Sequence, residues 1–187
     1  GLEDLGLLKL DFLGLRNLTV IDKACKMIKQ NHGEDIDIEK IDLTVPEVFE
    51  LFVKGHTVGI FQFESAGMQE YLKQLKPTCL EDLIAMNALY RPGPMANIPE
   101  FIARKHGESK INFMDPKLEP ILKETNGIIV YQEQVMQISQ VIGGFTLAQG
   151  DMMRRAMGKK KASLMATFKI DFVDGAVKQD IDKKRAV

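Results

Sequence analysis

Apolar positions recur at spacings of three and four along most of the chain, and short runs of alternation interrupt them at only a few places. Leu7 to Leu13 is apolar, with Lys9 and Asp11 at positions of the same parity. That alternation predicts a short strand showing both charges on one face. Gly14 then permits a sharp turn, and Leu18, Ile21, Cys25 and Ile28 mark one face of a helix that Gly33 ends. Thr44-Val45-Pro46-Glu47 reads as a capping box opening a helix to about Val53. Val58 to Phe63, β-branched and aromatic, predicts a second strand. Ser65 caps a helix carrying Met68, Tyr71, Leu72 and Leu75, and Thr78-Cys79-Leu80-Glu81 opens another that ends near Tyr90.

Arg91-Pro92-Gly93-Pro94 is a rigid turn, since this run of Pro and Gly does not sustain a helix. Beyond it lie a helix from Pro99 to Gly107 and a short one begun by Asp115-Pro116. A strand is expected at Ile128 to Tyr131, then a helix from Gln134 to Ile142, broken by Gly143-Gly144. Thr146-Leu147-Ala148-Gln149 is a third capping box, for the helix that bears Arg154 and Arg155. A last amphipathic helix covers roughly Ser163 to Val177. The predicted fold is therefore mainly α with a few short strands. It lacks the βαβ alternation of a doubly wound sheet and contains no G-x-x-x-x-G-K-S/T phosphate loop.

Composition adds little until its distribution is considered. The net charge of −1 does not announce a nucleic-acid binder. Positive charge is nevertheless concentrated at Arg104-Lys105-His106, at Arg154 to Lys161 and at Lys183-Lys184-Arg185, and such local stripes steer polyanions. No apolar run approaches the ~20 residues that cross a bilayer, so no membrane role is expected. Cys25 and Cys79 sit alone among apolar neighbours and read as buried free thiols of a reducing compartment, which points to the cytoplasm. A start at Gly1 and a stop at Val187 just after a helical pattern suggest a piece of a longer polypeptide.

The strongest candidate chemistry is the cluster Arg154, Arg155, Lys159, Lys160 and Lys161. Like charges this dense repel one another unless an anion offsets them. Arginine forks match phosphate oxygens in pairs, and lysines add point charge. The alternative is a solvated surface run; neighbouring Met152, Met153 and Met157 argue for partial burial of the arginines. Lys9 and Asp11 are either a strand-edge ion pair or a site where the carboxylate meets a cation. Asp35, Asp37 and Glu39 alternate, but in a polar loop that argues against a metal site, and the three histidines have no metal-ligand spacing. No G-x-S-x-G nucleophile motif is present. Tyr131-Gln132-Glu133-Gln134 either contacts a ligand or caps the following helix.

Six segments in order carry a family resemblance: KLDFLGLR (Lys9 to Arg16), GIFQFES (Gly59 to Ser65), ALYRPGP (Ala88 to Pro94), FIARKHG (Phe101 to Gly107), IIVYQEQVMQI (Ile128 to Ile138) and RRAMGKKK (Arg154 to Lys161). Together they resemble the bacterial replicative DNA polymerase III alpha subunits, the C-family DNA polymerases. The resemblance implies that residues 1–16 end the palm and residues 17–187 form fingers, incomplete at the C-terminus. It implies that Asp11 is the third catalytic, metal-binding carboxylate of a two-Mg²⁺ site, with Lys9 close to the triphosphate. Arg154 and Arg155 would meet the β- and γ-phosphates, with Lys159 and Lys160 as supporting charge; Arg91 is a further candidate or a structural corner. The implied partners are deoxynucleoside triphosphate, primer–template DNA, the rest of the alpha subunit and other replicase subunits, including the sliding clamp. The family's pair of palm aspartates precedes the matched strand, so this chain alone is expected to be inactive. A reading from a different class is a non-catalytic helical module that docks nucleic acid or a partner subunit.

Overall fold

A computed structural model describes residues 5–8, 10–158 and 162–186. The chain divides into two compact units, Gly1–Leu43 and Thr44–Val187. The first contains α1 (Arg16–His32), closed by Gly33 with φ of 73°, as the apolar periodicity predicts. None of its described residues is buried, and Leu18 and Ile21 on the α1 stripe stay exposed. Within this unit a single long helix has no second layer against which an apolar face can be buried.

The second unit holds the core. Its helices are α2 (Pro46–Val53), α3 (Ala66–Leu75), α4 (Leu80–Leu89), α5 (Ile98–Lys105), α6 (Glu119–Leu122), α7 (Gln132–Val141), α8 (Leu147–Gly158), α9 (Ala162–Lys178) and α10 (Lys183–Ala186). Ser65 caps α3 by accepting the Met68 N–H, which orients the stripe Met68, Leu72 and Leu75 into complete burial. Each such side chain contributes roughly 1.5–3 kcal/mol of apolar transfer. Met86 and Leu89 of α4 and Ile98 and Phe101 of α5 close this first cluster. A second, smaller cluster joins Leu118, Leu122, Ile142, Ala176 and Ile181.

Three expectations need correction. Among the described residues there is no strand: 58–62 is a succession of turns, while 128–130 and the described part of 7–13 are irregular. An extended segment becomes a strand only when a neighbour pairs its backbone groups, and local β-propensity supplies no neighbour. In place of a ladder, the Gln134 side chain accepts the Val130 and Tyr131 N–H groups at 2.8 and 2.9 Å. Two capping boxes also shift by one residue. The N-cap of α2 is Val45, because Pro46 takes the first helical turn. The N-cap of α4 is Cys79, and Asp82, rather than Glu81, reaches back to accept the Thr78 N–H at 2.9 Å. Finally, Cys25 and Cys79 are half-buried free thiols, not fully buried ones.

Candidate functional site

The arginine-bearing helix α8 is placed by its own start. Thr146 and Gln149 cap reciprocally: the Thr146 N–H donates to Gln149 Oε1 at 2.8 Å, and the Gln149 N–H donates to Thr146 Oγ1 at 3.3 Å. Gly150 then lets α8 lie close on α7, because a Cβ there would stand 2.8 Å from the buried Ser139 Oγ. One turn later on the same face, Arg154 meets the N-terminal end of α7. Its Nη1 donates to Gln132 Oε1 at 2.8 Å. Close helix contact at a small residue thus sets where the guanidinium sits.

Asp151 completes the arrangement. Its Oδ1 accepts from Arg154 Nε and Nη2 at 3.0 and 2.7 Å, while its Oδ2 pairs with Arg155 Nη2 at 2.8 Å. Hydrogen bonding from Arg154 holds the Asp151 carboxyl below the ordinary carboxylate range against a smaller opposing effect of burial, with both nearby positive charges adding to it. The Arg154 side chain is 29% exposed and that of Arg155 67%. Partial burial therefore holds for the first arginine only. Both line a cleft of about 360 Å³ with Gln132, Val135, Met157 and Gly158. The cleft lies at the C-terminal end of α8, where the helix dipole favours cations. Among the described residues, the positive groups lining the cleft are side chains, those of Arg154 and Arg155.

The other basic residues divide sharply. Arg104 donates to Glu100 Oε1 at 2.7 Å and to the Asn126 carbonyl at 3.0 Å. Lys105 donates to Asp82 Oδ2 at 2.6 Å and to Thr78 Oγ1 at 3.1 Å. The His106 ring bonds the Gln74 carbonyl at 2.9 Å. This cluster, expected to form a polyanion-steering stripe, fastens α5 to its surroundings instead. Arg91 lies exposed at the corner after α4, where its carbonyl accepts the Met95 N–H. Lys9, Lys159 and Lys160 lie outside the described residues.

Of the run Tyr131 to Gln134, the structural reading holds at Gln134. Gln134 is buried and structural: besides accepting two backbone N–H groups, it donates to Ile121 O and Thr125 Oγ1. Gln132 belongs to the arginine cleft. Sequence reasoning missed Asp151 and did not join Gln132 to the arginines; the spacing of Asp151, three and four residues before them, is the signal for it. The Tyr131 hydroxyl is buried with no hydrogen-bond partner among the described residues. Burial first, and then the charges of Glu124 and Glu81, push its pKa up to about 12.

Asp11 is exposed in irregular backbone. Among the described residues no group of three His, Cys, Asp or Glu side chains is placed to hold a metal ion. The described side chains do not themselves make up a two-Mg²⁺ site, which requires several bridging carboxylates. No helix among them is long and apolar enough to cross a membrane.

Fold and site define an α-helical module, as far as the described residues go, that presents an arginine pair at the edge of a cleft. The chain belongs to the bacterial DNA polymerase III alpha subunit finger domain family, whose model matches residues 17–180. Its relatives include the DNA polymerase III subunit alpha of Aquifex aeolicus (strain VF5), 49% identical over 98% of this chain. Those of Bacillus subtilis (strain 168) and Campylobacter jejuni are 51% and 52% identical over 96% and 99% of it. The chain spans 16% of the length of each of these relatives.

Proposed function

We propose that this chain serves a replicative DNA polymerase by holding the triphosphate of the incoming deoxynucleotide. The observation that carries the proposal is the two-to-one ratio at the α8 cleft, where, among the described residues, Arg154 and Arg155 share the carboxylate of Asp151. Lys159, Lys160 and Lys161 follow α8 in the sequence, and the first two are the supporting charge of this reading. The parent activity is template-directed transfer of deoxynucleotides to a primer 3′-hydroxyl. Its partners are primer–template DNA, deoxynucleoside triphosphates, the remainder of the alpha subunit and other replicase subunits such as the sliding clamp.

In this role Arg154 and Arg155 take the β- and γ-phosphates and neutralise the charge that builds on the departing pyrophosphate. Groups fixed before reaction are well suited to that task, because they need not reorganise as the charge develops. Gln132 keeps the Arg154 guanidinium facing the cleft. Lys9 is a further triphosphate contact, and Arg91 is a corner residue with an exposed charge available to the substrate. Residues 1–16 belong to the palm and 17–187 to the fingers. Asp11 is one carboxylate of the Mg²⁺ site.

Single-nucleotide incorporation by the complete subunit tests the assignment. Arg154→Ala is expected to raise the nucleotide KM or lower kcat, for a loss in kcat/KM of about 10²-fold, while affinity for duplex DNA stays the same. Loss of duplex affinity alone would make the cluster a DNA-backbone contact. Asp11→Asn is expected to cost orders of magnitude in rate with unchanged DNA affinity. Near-normal turnover would remove Asp11 from the metal site.

A further inference from the structure

The carboxylate of Asp151 occupies the part of the arginine pair that a phosphate would use. Its Oδ1 bridges Nε and Nη2 of Arg154, the paired edge on which guanidinium binds oxyanions side by side. Its Oδ2 forms an ion pair with Arg155 Nη2 at 2.8 Å. The other Arg154 terminal nitrogen, Nη1, is engaged by Gln132. A phosphate approaching the cleft therefore finds an internal anion already seated there. Both ion pairs are formed within one helix and reach the surface, so little packing has to be undone to open them.

We propose that Asp151 is a built-in counter-anion, exchanged for the β- and γ-phosphates when a nucleotide binds and returned to the arginines as pyrophosphate leaves. This rests on the triphosphate reading of the cleft given above. Exchange has two consequences. An oligophosphate presents several charges to both arginines at once and displaces one carboxylate readily. Orthophosphate, with about two charges, competes poorly, which gives the cleft a preference for chain length. On the return path, the freed carboxylate repels the product and re-forms two hydrogen bonds and an ion pair, which speeds release. Asp151 is accordingly a positioning residue that acts through the arginines.

The test compares wild type, Asp151→Asn, Asp151→Glu and the double variant Arg154→Ala/Arg155→Ala in the complete polymerase subunit. The quantities are the nucleotide KM, kcat and the inhibition constant of inorganic pyrophosphate, with thermal unfolding followed for each protein. Asp151→Asn is expected to lower the pyrophosphate inhibition constant about fivefold, to lower KM, and to lower kcat as product lingers. Asp151→Glu, which keeps the charge, is expected to lie between Asn and wild type. A rise in both KM and the pyrophosphate constant for Asp151→Asn would make the carboxylate a mere prop for the arginines and overturn the exchange. Constants unchanged within about twofold, below the worth of even an exposed ion pair, would overturn it equally. If the double arginine variant keeps wild-type constants, the triphosphate reading itself falls and the exchange with it.

Discussion

Residues 104–106 and 154–155 are both basic patches on helices, yet the structure uses them in opposite ways. At the end of α5 each basic side chain has its own internal partner: Glu100 for Arg104, Asp82 for Lys105 and the Gln74 carbonyl for the His106 ring. At the end of α8 two arginines share Asp151, and three lysines follow in the sequence. The side chains of Lys105 and Asp82 are only 15% and 10% exposed. A closed account of charge in a dry setting holds a fold together, whereas the excess of one sign beside the α8 cleft is what the proposed triphosphate would offset. Positive charge in a sequence does not distinguish these cases; the local supply of acceptors does.

The contrast is broken most forcefully at Asp82. Asp82→Asn leaves the Lys105 ammonium largely buried without a carboxylate, and unfolding measurements should show a loss of about 3 kcal/mol. The comparable change at Asp151 should leave the unfolding transition in place, because its pairs lie within one helix and are partly open to solvent. Equal losses at the two positions would erase the distinction between staple and grip.

Acid titration sharpens the same comparison. Burial pushes the Asp82 carboxyl up, but the Lys105 and Thr78 hydrogen bonds and the Lys105 charge outweigh it and hold the group below its ordinary value. A carboxyl lowered in the folded state stabilises the fold above its unfolded pKa of about 3.9. That contribution disappears as pH falls through the lower, folded value. Wild-type stability should therefore decline across the acid range, and Asp82→Asn should decline less steeply. An identical acid slope in the two proteins would contradict the assigned role.

The smallest effect is expected at Tyr131. Its hydroxyl is buried without a partner among the described residues, so Tyr131→Phe removes an unmet polar group. Thermal unfolding should show stability unchanged or raised by up to about 1 kcal/mol. A clear loss would mean that the hydroxyl is engaged.

Much of the helical architecture was legible because its signals are local. Ser65, Gly33 and the Thr146–Gln149 box act on their own helices, and each stands where periodicity placed it. The α4 cap was misplaced because Asp82 takes its charge partner from α5, 23 residues away, and no local pattern shows that contact. The strands failed for a related reason: Val58 to Phe63 has the composition of a strand but no neighbour, and the backbone turns instead. At the candidate site, the arginines were evident from charge density. Gln132 was not, since its role depends on α8 approaching α7 at Gly150. The same limit explains why Arg104 to His106 looked available in sequence.

Calorimetric binding of a deoxynucleoside triphosphate to this chain, with and without Mg²⁺, tests the central claim most directly. The account predicts weak binding that scarcely depends on Mg²⁺ and is lost in Arg154→Ala/Arg155→Ala. Binding that survives the loss of both arginines would contradict it.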